Sequence, residues 1–186
     1  MNGAGGDERR GGRRERRPKP LDQAKLQELA FRYVARFATS RAKLSTYLRR
    51  KLRERGWEGS AEPDVEAVVD KVVGLGFIDD AAFAGMKAAS LTRRGYGKGR
   101  VRMALTASGI GAEDGSEALA HAEEQQVSAA LRFAERRRIG PYAENRSDPA
   151  ARQKALAAML RAGHPMDLAR RIVAAAPGDL ESFGGD

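Results

Sequence analysis

Residues 40–56, SRAKLSTYLRRKLRERG, place Leu44, Leu48 and Leu52 four positions apart and run into Gly56. Steps of four return side chains to one face of a helix, and a glycine after the last apolar residue supplies the positive φ of a helix stop. The passage recurs. Val101 and Leu105 run into Gly109, and Leu156, Met159 and Leu160 run into Gly163, so the stop glycines stand 53 and 54 residues apart. A short linker and another apolar helix follow each stop: Val65, Val68, Val69, Val72 and Val73; then Ala118, Leu119 and Ala122; then Leu168, Ile172 and Val173. The valines advance by 3, 1, 3 and 1, which is helical spacing and not the alternation of a strand.

One more helix precedes each leucine-bearing one, over residues 23–37, 79–92 and 126–138. Ser40 and Asp148 read as N-caps, and Pro63, Pro149 and Pro165 as first-turn residues, where a missing N–H costs nothing. The expected fold is all-α: tandem repeats of a three-helix unit, over 21–76, 77–124 and 125–176, forming an elongated, curved array. Hydrophobic residues reach 41% but aromatics only 6%, which suits thin layers of Ala, Val and Leu better than one thick core. Residues 1–20 are Gly, Arg and Pro with almost nothing apolar and read as a disordered basic tail, with a second frayed tail over 177–186.

The chain has a net charge of +9 and no cysteine, which excludes disulfides and thiolate metal sites. No apolar run has bilayer length, so a soluble cytoplasmic protein without a membrane partner is expected. The charge is segregated. Between Leu29 and Arg53 there is no carboxylate but there are eight bases, and between Ala81 and Ala112 there are six bases and again no carboxylate. Acids collect on the third helices, as Asp64, Glu66 and Asp70, then Glu113, Asp114, Glu117, Glu123 and Glu124. One-signed stretches repel themselves and point to an anionic partner.

Residues 93–100, RRGYGKGR, alternate glycine with larger residues. They lack the preceding strand and the Gly-Lys-Ser/Thr of a phosphate-binding loop, which leaves an interhelix turn, either with basic contacts to phosphate or partner acids, or as a connection alone. Catalysis finds little support. His121 and His164 stand apart without metal-site spacing, Asp79 and Asp80 read as a helix cap, and no serine lies in a nucleophile elbow. No catalytic residue, metal, cofactor or small-molecule substrate is expected.

Ser40, Leu44, Leu48 and Gly56, then Gly76-Phe77-Ile78-Asp79-Asp80 with Phe83-Ala84, then Arg93, Gly97, Val101, Leu105 and Gly109-Ile110, together resemble the RecX family of RecA regulators. Order and spacing carry the likeness, which covers residues 30–120 well and the third unit by repeat logic. Lys43 departs from it, standing where many relatives carry an acid, and the Arg-rich tail has no counterpart in the motif. The resemblance implies a fold of three-helix repeats without an active site, binding the groove of a RecA filament on single-stranded DNA. It implies a role in recombination and the SOS response, usually limiting ATP hydrolysis, strand exchange and coprotease activity. The candidate contacts to RecA or DNA are the cations and one aromatic of the second helices and the turn before the middle one: Arg41, Lys43, Arg49, Arg50, Arg53, Arg93, Arg94, Tyr96, Lys98, Arg100 and Arg102. A different class, a direct DNA-binding protein with a helix-turn-helix-like pair, would lay the helix at 41–55 in a groove, but that helix has few side chains to read base edges. A peptide-gripping solenoid would need aromatic and Asn side chains at repeat positions, and none are evident.

Overall fold

The structure, a computed structural model, describes residues 19–145 and 148–184. Among these residues lie nine α-helices: α1 (Gln23–Val34), α2 (Arg41–Arg55), α3 (Val65–Gly74), α4 (Asp80–Arg93), α5 (Lys98–Thr106), α6 (Ala112–Glu124), α7 (Gln126–Arg137), α8 (Pro149–Arg161) and α9 (Met166–Ala174). The expected disordered tail lies, but for Lys19 and Pro20, outside the described residues. Ser40 and Asp148 act as N-caps, their side chains accepting from the N–H groups of Lys43 and Ala151. Of the three prolines, Pro149 alone opens a helix. Pro165 is itself the N-cap of α9, and Pro63 precedes the cap Asp64.

Three apolar clusters succeed one another along the chain. Leu26, Leu44, Leu48 and the α3 valines form the first; Phe83, Ala84, Ala88, Val101, Leu105, Ala118 and Ala122 the second; Phe133, Met159, Leu168 and Ile172 the third. The middle cluster is thin because its helices are: α4 lies along α6 through buried alanines on both. Ile78 packs in the first cluster, although it lies past residue 76, where the first unit was expected to end. Residues 177–184, the described part of the segment expected as a frayed tail, make contacts with the third unit. Gly178 donates to the Pro141 carbonyl at 2.8 Å, Arg171 donates to the Ser182 carbonyl at 3.1 Å, and Phe183 packs on the third cluster.

Successive units meet at the ends of their second helices. The stop glycines Gly56, Gly109 and Gly163 have φ of +79°, +69° and +89°. Gly163, after α8, lies on the start of α5, where Gly97 and Gly99 donate to the carbonyls of Ala162 and Gly163 at 2.9 and 3.0 Å. A Cβ on Gly163 would collide with the Arg100 backbone, and one on Gly97 with the Gly163 carbonyl. The joint between α5 and α2 is built alike. Gly109 faces Ala42, with no room for a Cβ, and the Ser40 hydroxyl donates to the Ser108 carbonyl at 2.5 Å. Beside it, the Arg41 N–H donates to the Asp80 carboxylate at 2.9 Å. The glycines of residues 93–100 therefore admit another stretch of protein backbone, and the alternation needs no ligand to account for it.

His164 completes the later joint. Its ring is 4% exposed, and Nε2 lies 3.1 Å from the Gly95 carbonyl, which can only accept, so Nε2 carries the proton. Burial holds the imidazole below its ordinary value of 6.5, and the bond to Gly95 offsets this only in part. The neutral ring contributes stability that is present above that value and lost as the pH falls through the lowered folded value. The urea midpoint should therefore drop from about pH 7 to pH 5 more steeply in the native chain than in His164→Gln. The same measurement separates two glycines of like φ: Gly178 at +84° has open space around it. Gly163→Ala should cost at least about 2 kcal/mol more than Gly178→Ala, because it must also push backbone apart.

Candidate functional site

The basic second helices lie beside the acidic third helices of their own units. Arg41 pairs with Asp70 and Lys98 with Glu123, while Arg49 meets Glu66 at 3.0 Å. The Arg49 guanidinium, helped by the Ser45 hydroxyl, holds the Glu66 carboxyl below the usual range. Arg50 and Lys51 share Glu54 at 3.0 and 2.6 Å. Signs that are segregated along the sequence thus come together across helix pairs, and the one-signed face expected of α2 is partly neutralised. These pairs are solvent-exposed and contribute little to stability, so their cations can exchange partners at little cost.

Cations without carboxylates gather elsewhere. Lys87, Ser90 and Arg94 on the α4 side and Arg100 on α5 line a cleft of about 460 Å³ floored by Leu91, Tyr96 and Met103. No acidic residue lines it. Lys43 of α2 approaches the same region: its ammonium and that of Lys87 lie 5.5 and 5.6 Å from the centroid of the Phe83 ring. Burial, and then the charge of Lys43, hold the Lys87 ammonium below the ordinary lysine range. Arg94 lies over Tyr96 at 5.3 Å, and its carbonyl accepts from Arg136 of α7. Like charges held close and partly removed from water raise the energy of the fold, and an anion entering the cleft would lower it.

Of the residues expected to touch a partner, Arg94, Tyr96 and Arg100 come together here, with Lys43 near Lys87. Arg41, Arg49, Arg50 and Lys98 are in the ion pairs above, and Arg53, Arg93 and Arg102 are exposed. Lys87 was not among them. Its signal was available, since Lys87, Ser90, Leu91 and Arg94 follow the 3, 4, 7 stripe of one helix face. Among the described residues, no group of three or more His, Asp or Glu is arranged to hold a metal, and no helix is long and apolar enough to cross a membrane.

Fold and surface define a basic, all-α protein built by stacking three-helix units. Residues 79–119 match the second three-helix domain of RecX. Over 184 residues the chain is 30% identical to the regulatory protein RecX of Myxococcus xanthus (strain DK1622), covering 93% of this chain and 97% of that one. The RecX protein of Mycobacterium sp. (strain KMS) is 37% identical over 67 residues, 36% of this chain and 35% of that one. A RecX crystal structure aligns with a TM-score of 0.61 at 22% identity, over 81% of this chain and 70% of the other. RecX from Lactobacillus salivarius aligns with a TM-score of 0.58 at 20% identity, over 81% and 93%. The chain belongs to the RecX family of regulatory proteins.

Because the Lys87 charge is disfavoured by its surroundings, its cost is present at neutral pH and disappears as the pH rises through the lowered folded value. Lys87→Met should therefore leave the urea midpoint at neutral pH unchanged or raised, while weakening whatever the cleft binds. A clear loss of stability would show that Lys87 holds the fold together instead.

Proposed function

We propose that this protein binds the RecA filament on single-stranded DNA and modulates it, mostly lowering its ATPase, strand-exchange and coprotease activities in recombination and SOS repair. The reading rests on membership of the RecX family, and one observation carries it to a place on the molecule: the acid-free cleft of Lys87, Arg94 and Arg100 with Lys43 near it. In this reading the cleft takes an anionic group of the filament. The exposed Arg53, Arg93 and Arg102 add unspecific attraction, and Arg41, Arg49, Arg50 and Lys98 trade their internal carboxylates for those of the partner. The protein works in the cytoplasm by binding alone, with neither cofactor nor bond chemistry of its own. A row of three units joined at fixed spacing gives it the length to bridge successive subunits of a filament.

Titrating the protein into the single-stranded-DNA-dependent ATPase of its cognate RecA tests this. Inhibition is expected well below one molecule per RecA subunit at physiological salt. Reversing the cleft with Lys87→Glu and Arg94→Glu should raise the half-inhibiting concentration at least about tenfold, against a few-fold for Arg49→Ala, because an exposed pair contributes little. Full inhibition by the reversed protein would remove the cleft from the mechanism. No inhibition by the native chain, beside strong binding to one duplex sequence, would move the function to direct DNA binding.

A further inference from the structure

The first unit carries an aromatic surface apart from the basic cleft. Tyr33 of α1 stacks on Tyr47 of α2, with ring centroids 4.2 Å and planes 22° apart. Phe37, in the turn after α1, packs beside Tyr33 at 5.2 Å yet remains 53% exposed. The Phe37 N–H donates to the Tyr33 carbonyl at 3.0 Å, so the turn itself holds this ring in place. Cations border the rings: Arg36 lies 5.9 Å from the centroid of Phe37, and Arg50 and Lys51 lie 5.6 and 5.9 Å from that of Tyr47. The chain from Leu29 to Arg53 adds no carboxylate; the acids that bound it are Glu28, paired with Arg32, and Glu54, shared by Arg50 and Lys51.

Packing accounts for part of this arrangement. Tyr33 and Tyr47 are half-buried against the first cluster and tie α1 to α2. It does not account for Phe37, which joins no cluster and keeps half its surface in water beside an arginine. A flat apolar face bordered by positive charge is matched by a ligand that alternates flat π-systems with anions. Unpaired nucleotides have that form, because the base stacks on the ring and the adjacent phosphate meets the guanidinium. A duplex does not, since its bases are already stacked on each other and offer only their edges, with no free face for a ring.

We propose that Phe37, backed by Tyr33 and Tyr47, is a stacking platform for unpaired bases of single-stranded DNA, with Arg36 and Arg50 on the flanking phosphates. The platform needs no RecA, and it extends the filament reading by adding a direct contact to the strand.

The test is equilibrium binding of the full-length chain, by fluorescence anisotropy at physiological salt, to labelled oligothymidylate. A strand of equal length and charge with abasic sugars is the comparison. The native protein is expected to bind the base-bearing strand about tenfold more tightly than the abasic one. Phe37→Ala should erase most of that margin while leaving abasic affinity and the thermal midpoint unchanged, and Phe37→Trp should keep the margin. Equal affinity of the native chain for both strands, or an undiminished margin in Phe37→Ala, would overturn the platform. Phe37→Ala that loses ATPase inhibition but keeps its margin assigns the patch to a protein partner and also overturns it. A lost margin with inhibition intact supports the platform and leaves filament regulation to the cleft.

Discussion

Between α8 and α5, the carbonyls of Ala162 and Gly163 accept hydrogen bonds from the N–H groups of Gly97 and Gly99. All four groups belong to helix ends, where the internal ladder leaves donors and acceptors without partners. Buried unpaired, each would cost about 1–3 kcal/mol. Here the needs of one terminus are met by those of the next, and the negative end of one helix dipole faces the positive end of another. The approach works only if nothing projects from the backbone at the crossing, which is why glycine stands on both sides. Serine replaces glycine on one side at the earlier joint, and its hydroxyl reaches the Ser108 carbonyl. Each small cluster of Ala, Val and Leu is thereby held against its neighbour by bonds whose geometry tolerates little slack.

Helix existence was legible because it rests on local rules. Leu44, Leu48 and Leu52 repeat at four, Ser40 and Asp148 cap, and Gly56, Gly109 and Gly163 stop, and each signal lies within a few residues of its effect. Packing across units was less legible. The alternating glycines at 95, 97 and 99 could serve a phosphate or a second backbone, and their partners, the α7 backbone at Ala129 and Phe133 for the first and Gly163 for the other two, lie more than thirty and sixty residues away in sequence. Phe183 holds the final segment to α9 through a contact that no periodicity in residues 177–186 announces.

The candidate site shows the same division. Counting charges along the chain found the acid-free stretches correctly but could not show which bases the fold neutralises. Glu66 and Asp70 belong to a different helix from Arg49 and Arg41, and only the packing of α3 beside α2 brings them together. Lys87, Arg94 and Arg100 escape that fate because the surfaces around them contribute alanine, leucine, tyrosine and methionine, and Lys43 lies over the Phe83 ring. What marks a cation as available is therefore the composition of its neighbours in space. The stripe Lys87, Ser90, Leu91, Arg94 offered half of that information, and Phe83, four residues before Lys87 and eleven before Arg94, is the buried ring that Lys43 and Lys87 both approach.

The helix ends at the two extremities of the row are occupied differently from those inside it. A joint of donors against acceptors can in principle be repeated without limit, as in a fibre, wherever a bare terminus is left open. At the far end of α2, the Gly56 carbonyl already accepts from the Leu21 N–H at 3.0 Å, and Leu21 accepts from the Glu58 N–H at 2.8 Å. At the opposite extremity, α8 begins with Asp148 bonded to the Ala151 N–H and with Pro149, which has no proton to donate. Within the described residues the Gly56 carbonyl is thus already occupied, and the first turn of α8 is capped by its own aspartate.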